Sequence, residues 1–293
     1  MKVLLVTKAS GDNYSVEAGL ADNVKHFDHH GKHSNYPAPC NNDEIPVIGQ
    51  NDVVEITHID TDTLLGLMRM AGKKLPPLLD RDLIENVDLN GSSVVKDRFD
   101  RSYLYMVGVN ELAKEIGFPR PSETPTDVTS KIMQLMNAPI QKLLEMGKAA
   151  TETSENTYSS NRVATDGTVG LWNIGAKDPF DPSRPYVDGI DVVVVYRDHF
   201  KSISIYCSPS SKYAFGNTTV AGIPFAGHPK ACGSPRGEEF TLDDAKRVYT
   251  ELTNKVKTAS YLTFRGAVYK KVSPSIRKLP GYSKLTNNSY TLK

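Results

Sequence analysis

Four of the chain's seven histidines fall within eight residues, in the run His26-Phe27-Asp28-His29-His30-Gly31-Lys32-His33. A fifth belongs to a second acidic cluster, His58-Ile59-Asp60-Thr61-Asp62. Imidazole nitrogen and carboxylate oxygen without thiolate suit a borderline or hard divalent ion, Mn²⁺ first, with Mg²⁺, Co²⁺ or Zn²⁺ behind it. Two such ions about 3.5 to 4 Å apart share a bridging carboxylate, turn a bound water into a nucleophile near neutral pH and neutralise the charge on a phosphate during in-line displacement. In an extended segment residues two apart face the same side, so His58, Asp60 and Asp62 are expected to point into one cleft. The candidate ligands are thus Asp28, His29, His58, Asp60 and Asp62, with His29 and His30 expected nearest the reaction. Asp88, in Val87-Asp88-Leu89-Asn90-Gly91, ends a short apolar run before a turn signal and is either a further ligand or a turn aspartate. His26 and His33 read as bystanders.

These residues need elements to hold them. Val3 to Thr7 reads as a strand, Val24 to Phe27 as a second that stops at Asp28, and residues 31–51, with Pro37, Pro39 and Pro46, as loop. Val53 to Ile59 is β-branched and apolar, a strand that delivers His58, Asp60 and Asp62 before a helix from Leu64 to Ala71. A strand that discharges polar groups into a helix start is the usual place for chemistry in an α/β sheet. Helical periodicity returns over Arg101 to Ile116 and over Asp127 to Ala149, where the stripe of Ile132, Met133, Leu135, Met136, Ile140, Leu143 and Leu144 reads as core.

The length, 293 residues, exceeds one ordinary domain. Residues 151–168 are dominated by Thr, Ser, Asn and Glu, and the expected division is a metal-binding domain over 1–150, a linker region over 151–185 and a second domain over 186–293. In the last of these, Asp191 to Tyr196 is a buried strand and Lys201 to Cys207 its neighbour. A Gly-rich stretch from Gly222 to Gly237 reads as a loop, and Thr241 caps a helix from Leu242. The fold class expected is α/β: an N-terminal domain with a largely parallel sheet flanked by helices, plus a smaller mixed α/β C-terminal domain.

Three cysteines, Cys40, Cys207 and Cys232, are too few and too far apart for a disulfide framework or a Cys-x-x-Cys zinc site, and a reducing compartment fits them. With no apolar run of about 18 residues or more and no signal-like start, a cytoplasmic protein without membrane contact is expected. The net charge of +1 hides an asymmetry. From Leu252 to Lys293 there are nine Lys or Arg and no acid, which leaves 26 basic against 34 acidic residues elsewhere. Tyr261, Phe264, Tyr269, Tyr282 and Tyr290 interleave with those cations, a mixture that suits a nucleotide or short single-stranded nucleic acid, or alternatively a tail docked on its own acidic body.

His26-Phe27-Asp28-His29-His30-Gly31 with Thr57-His58-Ile59-Asp60-Thr61-Asp62 resembles the DHH phosphoesterase superfamily. Phe225-Ala226-Gly227-His228-Pro229-Lys230-Ala231-Cys232-Gly233 resembles the substrate loop of that superfamily's associated C-terminal domain. The order of the first two motifs is the reverse of the usual one, and Ala226 stands where the family's Gly-Gly-His has its first glycine. The resemblance implies a parallel-sheet metal domain, a smaller mixed domain, a substrate cleft between them and Mn²⁺, with two ions expected. It offers Asp88 as the bridging carboxylate, with Asp12, Glu17 and Asp22 as other acids before the motif. It also implies a substrate-binding loop of Gly227, His228, Lys230 and Arg236. The residues allow this, since Gly227, Gly233 and Gly237 let backbone N–H groups approach a phosphate, although a plain Gly-Pro connection would read the same. Three functions follow as expectations: hydrolysis of short oligonucleotides or cyclic or linear dinucleotides; phosphomonoester, pyrophosphate or polyphosphate hydrolysis at the same site; or an inactive nucleotide-binding regulator. Release of free phosphate separates the second from the first.

Overall fold

A computed structural model of the chain describes residues 1–176, 178–235, 237–271, 282–285 and 289–292, with side chains up to residue 257. Arg236 and the aromatic and basic side chains beyond 257 lie outside the described residues. The chain is α/β and forms two units. One comprises Met1–Arg162, Ile174–Ile190 and Ser208–Ser211; the other comprises Val163–Asn173, Asp191–Cys207 and Lys212–Lys293.

In the first unit β1 (Lys2–Leu5), β2 (Tyr14–Val16), β3 (His26–Phe27), β4 (Val53–Ile56) and β5 (Thr126–Asp127) make a sheet in the order β3-β2-β4-β1-β5. The first four are mutually parallel and β5 runs antiparallel at the edge. Their side chains are apolar because helices cover the sheet: Val3, Leu5, Val16, Phe27, Val54 and Ile56 are all buried. The chain leaves β2, β3 and β4 at the same edge, and at that edge stand Glu17, Asp28 to His30, and Thr57 to Asp62.

The helices are α1 (Thr61–Met70), α2 (Arg81–Asn90), α3 (Arg101–Glu115), α4 (Thr129–Asn137) and α5 (Ile140–Ser160). Aspartates start three of them: Asp60 accepts from Thr63 N, Asp80 from Leu83 N, and Asp100 from Ser102 N and Tyr103 N. Asp100→Ala is expected to cost about 1 kcal/mol, read as a lower urea midpoint at unchanged slope. The helix expected over 127–149 is two helices. Pro139 holds Ala138 in an extended conformation (φ −62°, ψ 132°), and α4 stops at Asn137. α3 and α5 cross in direct backbone contact at two glycines. A Cβ on Gly108 would lie 1.9 Å from the Leu143 carbonyl oxygen, and one on Gly147 would lie 1.9 Å from that of Leu104.

The linker expected over 151–185 is largely regular structure. α5 continues to Ser160 because Thr151, Thr157 and Tyr158 are buried, and β6 (Arg162–Asp166) and β7 (Val169–Ile174) follow at once, with Val169, Leu171 and Trp172 fully buried. Polar composition misleads here, since Thr151, Thr157 and Tyr158 share the buried side of α5 while Glu152, Asn156, Ser159 and Ser160 stay exposed.

β6 and β7 begin a seven-stranded sheet in the order β10-β11-β12-β9-β8-β7-β6, completed by β8 (Val192–Arg197), β9 (Ser202–Cys207), β10 (Thr218–Val220), β11 (Ile223–His228) and β12 (Ala231–Gly233). β8 and β9 pair antiparallel, Val194 opposite Ile205. Val192, Val194, Ile203, Ile205 and Phe225 share a core with Ala245, Val248 and Leu252 of the long helix that starts at Leu242. That helix opens on a capping box, Thr241 accepting from Asp244 N and Asp244 from Thr241 N. The three cysteines are buried free thiols, and among the described residues no helix is long and apolar enough to cross a membrane.

Candidate metal centre

At the carboxyl edge of the parallel strands, Glu17, His29, His30 and Asp88 each offer a ligand atom, and these atoms lie within 4.8 Å of one another. Glu17 follows β2, the two histidines follow β3, and Asp88 comes from α2. Asp88 Oδ2 is 2.8 Å from His29 Nε2 and 3.1 Å from His30 Nε2, so one carboxylate oxygen meets both rings. Glu17 Oε2 is 2.6 Å from His30 Nδ1 and Oε1 is 3.8 Å from His29 Nε2. Asp28 is the scaffold of the turn, accepting from Gly19 N at 2.6 Å and from His30 N at 2.8 Å. Oδ1 also lies 3.4 Å from His30 Nδ1, so Asp28 both holds the turn and borders the cluster.

His58, Asp60 and Asp62 do not share one face. The chain turns helical at Thr61, which ends the alternation the sequence suggests. Asp60 becomes the helix cap and keeps its other oxygen 3.1 Å from His58 Nε2. Asp62 moves into the first helical turn, where Oδ1 accepts from Cys40 N and Oδ2 lies 3.4 Å from His29 Nε2. Asp62 therefore borders the cluster, whereas His58 and Asp60 form a pair beside it. Asp88 lies in α2 rather than in a turn.

Glu17, which the sequence offers only as one of three acids before the motif and behind Asp88, is the most deeply buried carboxylate of the cluster. It is 3% exposed and holds φ at 51°, a left-handed conformation that costs a non-glycine residue energy and that gathers at functional sites. The nitrogens nearest its oxygens are imidazole ones, His30 Nδ1 at 2.6 Å from Oε2, out of line for a hydrogen bond, and His29 Nε2 at 3.8 Å from Oε1; Asp62 Oδ2, 3.4 Å from His29 Nε2, is in the same condition. Three buried carboxylate oxygens that face imidazole nitrogens without an aligned hydrogen bond are an arrangement a cation satisfies. The donor set, three carboxylates with imidazole, fits a divalent metal of the Mn²⁺ or Mg²⁺ kind.

The electrostatics agree. Burial pushes the Glu17 carboxyl up to about 7, opposed by His30 and aided by the charges of Asp62 and Asp28. Burial likewise raises Asp62. For His29 burial disfavours the charge, but Asp62, Asp88 and Glu17 outweigh it and raise the imidazole to about 10; Glu17 chiefly raises His30 to about 9. Asp60 raises His58. At pH 8 both cluster histidines therefore carry protons that a metal must displace. Mn²⁺ uptake at that pH is expected to release about two protons per site, visible as a buffer-dependent heat of binding, and to weaken as pH falls below about 9. The sign for the metal-free fold is the opposite. The imidazolium contribution to stability is fully present below 6.5 and is lost as pH rises through about 9 to 10.

An open depression of about 490 Å³ lies over the cluster, lined by Lys8, Glu17, Gly19, Asp28, His30 and His58 among others. In the second unit the Gly-rich segment is a tight hairpin of β11 and β12 rather than a loop. Gly227 takes φ +127°, and Lys230 N donates to His228 Nδ1 at 3.1 Å, which puts the proton of a neutral His228 on Nε2. His228 is exposed at the strand end.

No family model and no curated protein matches this chain. Among solved structures it is similar to a pGpG-specific phosphodiesterase, PggH from Vibrio cholerae, at 14% identity over 85% of this chain and 86% of that one, with a TM-score of 0.42. It is also similar to an exopolyphosphatase-related protein from Bacteroides fragilis, at 12% identity over 81% of this chain and 66% of that one, with a TM-score of 0.30. At these scores neither likeness decides what this chain does, and its chemistry rests on its own residues.

Proposed function

We propose that the chain is a metal-dependent phosphoesterase of DHH type that hydrolyses phosphodiester bonds in short oligonucleotides or in cyclic or linear dinucleotides. The observation that carries this reading is the cluster of Glu17, His29, His30 and Asp88, its buried carboxylate oxygens gathered on two imidazoles, beneath an open depression at the strand ends. A divalent ion bound there supplies an activated water and neutralises phosphate charge. Glu17, His29, His30 and Asp88 would hold it, and the orphaned oxygen of Asp62 supports a second ion beside the first. Asp28 keeps the two imidazoles in position through its backbone bonds. Lys8 and His58, which line the same depression, are suited to take the phosphate oxygens that point away from the ligands. Asp60, 3.1 Å from His58 Nε2, raises the imidazole's pKa and so favours its charged form.

The hairpin at Gly227 to Lys230 is proposed as the anion-holding element of the second unit. Its support is the donor that His228 presents at Nε2 from an exposed strand end. The basic C-terminal sequence favours an oligomeric nucleotide over inorganic pyrophosphate, which needs no stacking surface.

The test is turnover by the full chain with Mn²⁺, Mg²⁺ or Co²⁺ against short oligonucleotides, cyclic and linear dinucleotides, bisphosphorylated nucleosides and pyrophosphate. Metal-dependent release of mononucleotides is the expected result. Free phosphate as the only product would assign a phosphomonoesterase or pyrophosphatase instead, and metal binding without any turnover would overturn the enzyme reading.

A further inference from the structure

A second cavity, of about 330 Å³, lies in the first unit between α3, α5 and the segment around Pro179. Its walls combine ring and aliphatic surface, from Tyr103, Val107 and Phe180, with directional polar groups, from Arg98, Asn110 and Thr151. Two of the polar groups lack hydrogen-bond partners. Thr151 is 4% exposed and its Oγ1 has none; Arg98 is 7% exposed and its Nε has none, although Glu155 lies 3.6 Å away as an ion pair. Both atoms are closed off behind the cavity wall, and the polar groups an occupant meets are the exposed Asn110 and Lys114 and the half-buried Ser154.

The charges of this cavity rule out a phosphate as its occupant. Glu111, Glu155 and Asp181 line it against Arg98 and Lys114, and Arg98 already binds Asp181 at 2.5 Å. An anion would meet three carboxylates there. A neutral, flat heterocycle with donors and acceptors on its edge and apolar faces fits both the charge and the surface. The volume sits at the small end of ligand pockets, suited to one ring system rather than to a whole dinucleotide.

The cavity also has a defined relation to the metal centre. Asn110 lines it, and Asn110 lines a smaller cavity of about 190 Å³ whose other walls include Asp60, Asp62 and Asp88. Met106 and Asn110, one helical turn apart, face the aspartates, while Tyr103, Val107, Asn110 and Lys114 face the larger cavity. We infer that this larger cavity is a nucleobase pocket, which seats the base of a nucleotide whose phosphate lies at the Glu17–His29–His30–Asp88 cluster. This assignment rests on the phosphoesterase reading for the phosphate, but not for the base.

The experiment is therefore binding without turnover. Adenosine, guanosine, cytidine and uridine are titrated against the metal-free full chain by ligand-observed NMR, with ribose 5-phosphate and inorganic phosphate as competitors. Binding of at least one nucleoside is expected, unaffected by either competitor and weakened about tenfold or more by Asn110→Ala, the size of one lost hydrogen bond to a well-fitted group. Ser154→Phe, which fills the cavity from α5, is expected to abolish it. Retention of the wild-type circular dichroism and unfolding midpoint shows that each variant is folded. Absence of nucleoside binding, equal binding by wild type and both variants, or displacement by phosphate would overturn the pocket. Failure of this pocket is distinguishable from failure of the enzyme reading. Oligonucleotide turnover without nucleoside binding sinks the pocket alone, and nucleoside binding without turnover on any substrate sinks the phosphoesterase alone.

Discussion

Glu17→Gln is expected to remove metal-dependent turnover while leaving the fold intact. Gln keeps the shape and burial of the side chain but loses the charge that makes both oxygens ligands. Even partners one shell out from a metal typically cost about 10 to 100-fold when removed, so a direct carboxylate ligand should cost more than about 100-fold in both Mn²⁺ affinity and kcat/KM. His29→Ala should match it, because His29 Nε2 is the point where Asp88, Asp62 and Glu17 converge. Asp12→Asn is the control: Asp12 is another acid before the Asp28-His29-His30 run, but it is exposed and outside the cluster. Mn²⁺ titration by calorimetry and steady-state kinetics on the same preparations decide the matter. Wild-type Mn²⁺ affinity in Glu17→Gln would mean that the cluster is not the metal centre.

The largest stability effect is expected at the α3 and α5 crossing. Alanine is a better helix former than glycine by about 1 kcal/mol, so Gly108→Ala and Gly147→Ala would stabilise an isolated helix. In the fold each new methyl would sit 1.9 Å from a carbonyl oxygen of the opposing helix, and backbone cannot rotate aside as a side chain can. The helices must separate, and overpacking of this kind typically costs 1 to 3 kcal/mol and sometimes more. A net loss of about 3 kcal/mol is expected for either variant, a fall in Tm of roughly 10 °C at this size. Because the chain has two units, the unfolding should be followed by a probe within the first of them. Unchanged stability in both variants would contradict the close crossing.

Much of this arrangement is legible in the sequence, and the parts that are not share physical causes. Asp28, His29 and His30 could be found because an apolar strand ends directly on them, and the four valines of β8 announce a buried strand without help. Glu17 stands out from Asp12 and Asp22 in no way that the sequence shows, since β2 is three residues long and offers no alternation to recognise. Its signal is tertiary: parallel pairing of β2 with β3 and β4 brings it to the edge where the histidines emerge. Asp88 was ambiguous because Asn90-Gly91 marks a turn and a helix end alike. Gly91, at φ 76°, closes α2, so the glycine that suggested a turn after a strand is the stop of a helix. Asp62 was assigned an extended face because the residue where the helix starts, Thr61, does not differ in polarity from its neighbours. The hairpin at Gly227 shows the same limit, since glycine and proline signal a change of direction without saying how tight it is.

The parallel pairing of β1 with β4 carries a kinetic consequence. Lys2 stands beside Val53, so the ladder that aligns the strand ends closes only after a chain segment of about fifty residues has been brought round, a slow, entropically opposed step compared with forming any helix. The residues of the candidate metal centre come from both sides of that closure: Glu17 and the histidines lie within the segment and Asp88 beyond it. During refolding, helical circular dichroism should therefore recover first and Mn²⁺ binding last, in a stopped-flow experiment that follows both. A newly made chain would spend that interval helical and collapsed, with the candidate centre not yet assembled.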